Sequence, residues 1–562
     1  MNEQNDIADL VLTNATIYTL DHNDSFASTV AIKNNSIIYV GDNEGVSSYI
    51  GVNTKVIDVE KRTILPGFCD AHCHGVMGGR LMNGCLLTHG ATKEDYLKII
   101  QEYLTTHIQD PYIFGFGWIH SAFPTQGPSK EILDSILSDI PAYFLSIDYH
   151  SCWVNSKALE IAGITKHTED PAGGHIERHP DSREPWGCLR EMSAIRLITT
   201  TLPQPTKEDW KAAIRTYMKK AAENGITSLF DAGVLNSNQW TAFQAAHELD
   251  EEGELTIHLY ESFVCDPEQG VNQVPEVVKA RNTFSNGNNF HVGVAKIFMD
   301  GAVEGHTGFL LEPYVDRDNY RGAPVWNLQT YKETAAALDK EGIQIHVHAI
   351  GGGATRDALD GIEYANLKNG GRDARHTIAH LERAIEEDIK RFRSLGVIAC
   401  FQPAWFYMDD NYYQETIPLL GTHRANRRYL IEDFLKYDTT VSFGSDWPWG
   451  TVSSTMDPLI AIGTAVTRKD PDNPNEVSYE PKQRLHLKSA IRFHCYGGAV
   501  QNFMDKTIGS IKVGKQADLV VLNENIFKEQ AVQLDKTMVD LTIFQGAIIY
   551  QRETKKLLQQ PA

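Results

Sequence analysis

Short apolar runs separated by Asn, Asp and Gly fill the N-terminal part of the chain: Leu10-Val11-Leu12, Thr16-Ile17-Tyr18-Thr19, Ser28-Thr29-Val30-Ala31-Ile32 and Ser36-Ile37-Ile38-Tyr39-Val40. Apolar and β-branched runs set between turn residues predict strands. The same style returns at the other end, in Gly509-Ser510-Ile511, Ala517-Asp518-Leu519-Val520-Val521-Leu522, Met538-Val539-Asp540-Leu541-Thr542-Ile543 and Gly546-Ala547-Ile548-Ile549-Tyr550. Two β-rich ends that flank one body could build a single small domain together. Between them, short apolar strands alternate with helical stretches, the pattern of a parallel sheet with crossover helices. Candidate strands are residues 63–69, 226–230, 256–260, 291–298, 343–347, 376–379, 397–401 and 440–443. That set has the eight members that a (β/α)₈ barrel needs. Residues 112–116 and 143–147 are also strand-like and are assigned to a long insertion after the first barrel strand, from about residue 75 to about residue 202. The expected fold class is therefore α/β. A (β/α)₈ TIM barrel spans 65–500, and a small β-sandwich-like domain is formed by residues 1–64 and 501–562. The polar run 469–480 reads as a surface loop.

Composition narrows the function classes. With 562 residues, 42% of them hydrophobic, the chain can bury a large core. A net charge of −21 repels phosphate backbones, so nucleic acid is not expected as a partner. The 8 cysteines are scattered, with no Cys-x-x-Cys pair, which suits free thiols in a reducing compartment. The start of the chain, Met1 to Leu10, is polar and acidic, unlike a signal peptide, and no stretch reaches the roughly 18 unbroken apolar residues of a membrane span. A cytoplasmic protein that does not enter membranes is expected. A homodimer would be an ordinary assembly for it.

The strongest chemical signal is Leu65-Pro66-Gly67-Phe68-Cys69-Asp70-Ala71-His72-Cys73-His74. Side chains alternate faces along a strand, so His72 and His74 point the same way and could chelate one divalent metal at the strand's C-terminal end. Barrel enzymes carry their active sites at such ends. Two incidental histidines would look the same in isolation. Further ligand-type residues recur at the ends of later strands: Lys296, His348, His380 and Asp446. Each has a plain alternative. Lys296 could be half of a buried ion pair with Asp300, and Asp446 could be a turn residue before Trp447-Pro448. Four coincidences at strand ends weigh against those readings. Gly351-Gly352-Gly353-Ala354 lacks the spacing and the following Lys-Ser/Thr of a phosphate cradle.

On these motifs the chain resembles the amidohydrolase superfamily, and within it the YtcJ-like branch, amidohydrolase family 3. The likeness runs through residues 65–74, 115–118, 148–163 (with Asn155-Ser156-Lys157-Ala158-Leu159), 225–233, 296–301, 346–351, 375–380, 444–448 and 509–522. The resemblance implies a metal-bearing barrel joined to a small β domain from both chain ends. It implies that His72 and His74 hold one metal with Asp446 beside them, and that His348 and His380 hold a second. Lys296 would bridge the two as a carbamate formed with carbon dioxide. The branch puts the ligand at the second histidine of His346-Val347-His348, and at His380 rather than His376. The implied metal is divalent, one or two ions, zinc first and iron or manganese tolerated. The sequence departs from the branch at Gly352 and Ala379, where carboxylates that orient ligand imidazoles are common.

The implied activity is hydrolysis of a C–N bond in an amide, formamide, carbamate or cyclic amide by metal-activated hydroxide, with Asp446 shuttling the proton. This is a hydrolase acting on carbon–nitrogen bonds other than peptide bonds, with a small-molecule substrate. A deaminase or esterase on the same scaffold is the alternative, and a non-catalytic binding protein is third. Aromatic and histidine residues that could line the substrate site include Trp118, His150, Trp153, His175, His179 and Trp186 in the insertion, and His306, Trp405, Tyr407 and Trp447 in later loops. For any one of them core packing is the commoner role. His150, Trp118 and Trp447 are favoured because they sit in the shared segments, with His150 expected to donate to the substrate carbonyl.

Overall fold

A computed structural model of the chain describes residues 7–147, 149–171, 174–235, 238–409, 412–449, 455–473, 475–528 and 534–553. Asp148, which opens one of the shared segments, lies outside the described residues. So do residues 1–6 of the polar N-terminus and residue 474 of the polar run.

Eight strands form one sheet in sequential order: β1 (Phe68–Cys73), β2 (Ile226–Asp231), β3 (His258–Val264), β4 (Phe290–Phe298), β5 (Gln344–Ala349), β6 (Thr377–His380), β7 (Ile398–Phe401) and β8 (Val441–Phe443). Every neighbouring pair along this order is parallel. The first and last strands are drawn together at their C-terminal ends. The Asp446 amide donates to the His72 carbonyl at 2.6 Å. Ser445 donates its amide (2.9 Å) and its hydroxyl (2.6 Å) to the buried Asp70 carboxylate. Gly444 permits this approach, because a Cβ there would lie 2.3 Å from the His72 amide nitrogen. Amphipathic helices such as Lys207–Glu223, Leu328–Lys340 and Gly352–Asn369 return the chain between strands and share the main hydrophobic core with the barrel's outer face.

The expected strand 63–69 is two strands. Thr63–Pro66 belongs to another sheet and β1 begins at Phe68. The break is Gly67, where a Cβ would meet Thr227 Oγ1 at 2.1 Å, so the chain crosses from one sheet to the other at a point of close contact. Thr63–Pro66 pairs with Thr16–Tyr18 on one side and with Leu519–Leu522 on the other. Val539–Phe544 and Ala547–Gln551 extend this sheet, so segments from both ends of the chain share one hydrogen-bonded ladder. A four-stranded sheet (order Ser36–Gly41, Thr29–Lys33, Leu10–Thr13, Lys55–Asp58) packs its apolar face against it through Leu12, Ile32, Ile64, Leu519 and Val521.

Between β1 and β2 lies a separate six-stranded sheet, in the order His175–Arg178, Pro185–Arg190, Ser151–Val154, Ala142–Ser146, Ile113–Trp118, Cys85–Leu86. It has hydrophobic clusters of its own, around Trp118, Phe144 and Trp153 and around Leu159, Leu189 and Ile198. All eight cysteines are buried. No helix among the described residues is long and apolar enough to cross a membrane.

Candidate metal centre

The side chains of chemical interest sit where β-strand geometry ends. His72 lies in β1 and His74 just past it. Lys296 is near the end of β4, His348 near the end of β5, His380 is the last residue of β6, and Asp446 follows β8. His380 (φ 77°) and Asp446 (φ 56°) both take left-handed backbone conformations, which non-glycine residues adopt at a cost and which recur at functional sites. The structure brings all six together. Asp446 Oδ1 is 3.2 Å from His72 Nε2 and 3.6 Å from His74 Nε2, so the two β1 histidines do face one side. Lys296 Nζ is 3.3 Å from His72 Nε2. The His380 ring lies 4.9 Å from that of His72 and 4.4 Å from that of His348. Ligand atoms of His72, His380 and Asp446 fall within 4.8 Å of one another.

Each imidazole is turned by a partner behind it. His74 Nδ1 donates to the Gly233 carbonyl at 2.9 Å, leaving the Nε2 lone pair free. His380 Nδ1 donates to Gln402 Oε1 at 2.9 Å, again freeing Nε2. His72 Nδ1 meets His346 Nε2 at 2.7 Å. His348 Nδ1 is 3.4 Å from Asp300 Oδ1, an ion-pair distance rather than a hydrogen bond. Outside partners of this kind fix ring orientation and raise metal affinity. Where Gly352 and Ala379 offer no side chain to do this, Asp300 stands behind His348 and Gln402 behind His380. Gln402 and His346 are the residues that sequence reasoning passed over. The one available signal was that His346 and His348 share a face of β5, as His72 and His74 share one of β1.

Lys296 does not pair with Asp300. That carboxylate accepts the backbone amides of Phe309 (2.9 Å), Ile350 (3.0 Å) and Gly351 (2.8 Å) instead. Lys296 is fully buried, lies over the Phe298 ring at 4.7 Å, and burial pulls its amine down to about 8. Burial, with Lys296 and the neighbouring imidazoles adding to it, holds His72 well below the usual histidine range. Burial likewise brings His74 to about 4 and pushes the Asp446 carboxyl up. His380 Nε2 and Asp446 Oδ1 are buried with no hydrogen-bond partner. Imidazoles and a carboxylate gathered in one buried space, with Lys296 beside them, form a donor set that suits a divalent cation.

The favoured substrate-site aromatics fall in different places. Trp118 is fully buried in the insertion, its indole donating to the Phe144 carbonyl at 2.8 Å. His150 is half exposed and pairs with Glu191 at 3.0 Å. Trp447 joins the site through its backbone, whose carbonyl accepts the His74 amide at 2.8 Å, while its ring packs where a Cβ on Gly78 would lie. Of the other candidates, Trp153 is fully buried, with its indole on the Ser129 carbonyl at 2.8 Å, and Trp405 stacks 6.1 Å from the His380 ring. The glycines at 351–353 cradle no phosphate, because the Gly353 and Ala354 amides both donate to the Phe309 carbonyl.

The chain matches the amidohydrolase family over residues 55–550 and belongs to that family. It is similar to YtcJ of Bacillus subtilis (strain 168), at 27% identity over 538 residues, covering 95% of this chain and 98% of that protein. It is also similar to the N-substituted formamide deformylase of Arthrobacter pascens, at 25% identity over 571 residues, covering 97% and 98%. A crystal structure of an uncharacterized metal-dependent hydrolase from Pyrococcus horikoshii OT3 shares the fold, with a TM-score of 0.74, 23% identity, and coverage of 94% of this chain and 99% of that one. The protein is thus a hydrolase of the amidohydrolase family built on a mixed α/β barrel.

Proposed function

We propose that this hydrolase cleaves a carbon–nitrogen bond in a small amide, formamide, carbamate or cyclic amide, using one or two divalent cations at the barrel mouth. The observation that carries the reading is the buried meeting of His72, His380 and Asp446, with His380 Nε2 and Asp446 Oδ1 left without hydrogen-bond partners. His72, His74 and Asp446 would hold a first ion, and His348 and His380 a second. Lys296 would join them once its ammonium has lost one proton and the resulting amine has added carbon dioxide and lost a second, which turns a buried cation into an anionic oxygen donor. Its one polar neighbour at hydrogen-bond distance among the described residues is His72. Zinc is the first candidate for this mixed nitrogen and oxygen set, with iron or manganese next. When bound, a divalent cation brings the pKa of water toward neutrality and polarises a carbonyl.

The chain's own residues supply the proton path. Asp446 takes the proton of the attacking water as its oxygen joins the carbonyl carbon. It returns that proton to the nitrogen as the C–N bond breaks, giving an acid and an amine. Similarity to a formamide deformylase supports a C–N bond as the target. A substrate without phosphate charges accords with the net charge of −21.

The test is a panel of N-acyl, formamide, carbamate and cyclic amide compounds beside simple esters, run with zinc and bicarbonate. At least one C–N compound should turn over, and Asp446→Asn should lower kcat by at least about 100-fold. Turnover of esters alone would overturn the assignment.

A further inference from the structure

A cavity of about 80 Å³ lies between the insertion and the first barrel helix. Met77 and Leu81 of helix Gly75–Met82 form one wall, Leu145, Met192 and Ile195 of the insertion the other, and Trp449 from beyond β8 closes it. Such a volume is less than the several hundred Å³ of a whole ligand pocket, so it suits one substituent of a bound molecule rather than an entire substrate. Arg80 also lines it, but its guanidinium is held over the Phe114 ring at 4.3 Å and donates to the Tyr112 hydroxyl at 2.6 Å. The rest of the lining is mostly apolar. None of the proposed metal ligands lines it, but it lies close to them. The helix that forms its wall starts immediately after His74, and the Trp449 ring lies 5.5 Å from the His74 ring.

Three lining residues carry buried polar atoms without a hydrogen-bond partner, Arg80 at Nε, Thr199 at Oγ1 and Tyr149 at its hydroxyl, and only the last belongs to an aromatic ring packed toward the metal ligands. Tyr149 lines the cavity, is only 6% exposed, and its hydroxyl has no hydrogen-bond partner. Its ring is clamped between Phe116 (centroids 4.4 Å apart) and Trp449 (4.0 Å), on a left-handed backbone (φ 63°). A buried hydroxyl without a partner costs free energy unless a ligand completes it.

We infer that the substrate carries a ring-sized apolar group that enters this cavity, and that the Tyr149 hydroxyl donates a hydrogen bond to the bound molecule. This rests on the reading of a C–N hydrolase and names the class of its substrate: amides with an aromatic or branched apolar substituent. Tyr149 then fills the donor role that sequence position had suggested for His150.

The test separates binding from turnover. Calorimetry compares 5-phenylpentan-2-one with pentan-2-one, ketones that mimic an amide but have no C–N bond to cleave. Turnover compares N-(2-phenylethyl)acetamide and N-methyl-3-phenylpropanamide with N-ethylacetamide. The phenyl ketone should bind wild type at least about 10-fold more tightly than its short analogue. Met192→Trp, or Leu235→Trp from another part of the lining should the first fail to fold, should erase that advantage. Tyr149→Phe should weaken both ketones about 5-fold and leave the thermal midpoint in place, since the hydroxyl bonds nothing in the free protein. Equal binding of the two ketones, or wild-type binding by the variants, would overturn the inference. Ketone binding as described with no amide cleaved would defeat the C–N reading and leave the cavity's role standing. Amide cleavage with no preference for phenyl would do the reverse.

Discussion

At the scale of single residues, the candidate site divides labour between atoms that suit a metal and the groups that aim them. His380 can offer Nε2 because Gln402 accepts from Nδ1. Gln402→Ala removes that acceptor and should lower metal affinity about 10- to 100-fold, measured by competition with a chromophoric chelator. An unchanged affinity would mean the ring is held by packing alone. The six ligand-type residues were legible in the sequence because polar groups at the ends of apolar strands stand out. Their partners were not. Gln402, the Gly233 carbonyl and Asp300 reach the imidazoles only through the closed barrel, and no local spacing connects Gln402 to His380. Tyr149 was hidden for a similar reason: its orphaned hydroxyl is a property of its surroundings, whereas the adjacent His150 is the more conspicuous residue type.

At the scale of elements, the return stretch that leads into β6 depends on a buried cluster. His376 Nδ1 accepts the Ile345 amide at 3.0 Å, so its Nε2 carries the proton that faces Asp339 at 3.3 Å. Arg372 and Asn369 also donate to Asp339, at 2.8 Å each. Burial alone would raise the Asp339 carboxyl, but the bonds from His376 and Asn369 and the charges of His376 and Arg372 outweigh it and bring it down to about 2. Its unfolded value is near 3.8. A depressed folded value stabilises fully above the unfolded pKa and is lost as pH falls through the folded one. Asp339→Asn should therefore cost on the order of 2 kcal/mol at neutral pH, with the gap to wild type closing between about pH 4 and pH 2 in urea melts. A gap that stays constant with pH would contradict this. Strand periodicity located the barrel elements to within a few residues. It merged Thr63–Pro66 with β1, because an apolar run crossing Gly67 gives no sign that the chain is changing sheets.

At the scale of the whole molecule, the chain's two ends and its barrel are tied by contacts distant in sequence. The buried His258 of β3 faces Asp518 Oδ2 at 2.8 Å, and Asp518 Oδ1 accepts the Gln545 amide at 2.7 Å. Asp518→Ala leaves both donors unpaired and should cost about 2–3 kcal/mol in a denaturant melt. A loss below about 0.5 kcal/mol would show that the junction is not set by this carboxylate. That both ends are β-rich was visible in the sequence. That Thr63–Pro66 lies between Thr16–Tyr18 and Leu519–Leu522 was not, since strand pairing over such separations leaves no local pattern.

The central claim is that the residues gathered at the barrel mouth hold a divalent cation. Its most direct test is elemental analysis by mass spectrometry of protein purified with zinc present and then exhaustively dialysed, for wild type beside His72→Ala and His380→Ala. The account predicts one to two divalent ions per wild-type chain and at least one fewer in His72→Ala, with His380→Ala reduced as well. Wild-type protein free of tightly bound metal, or variants that retain the full complement, would contradict it.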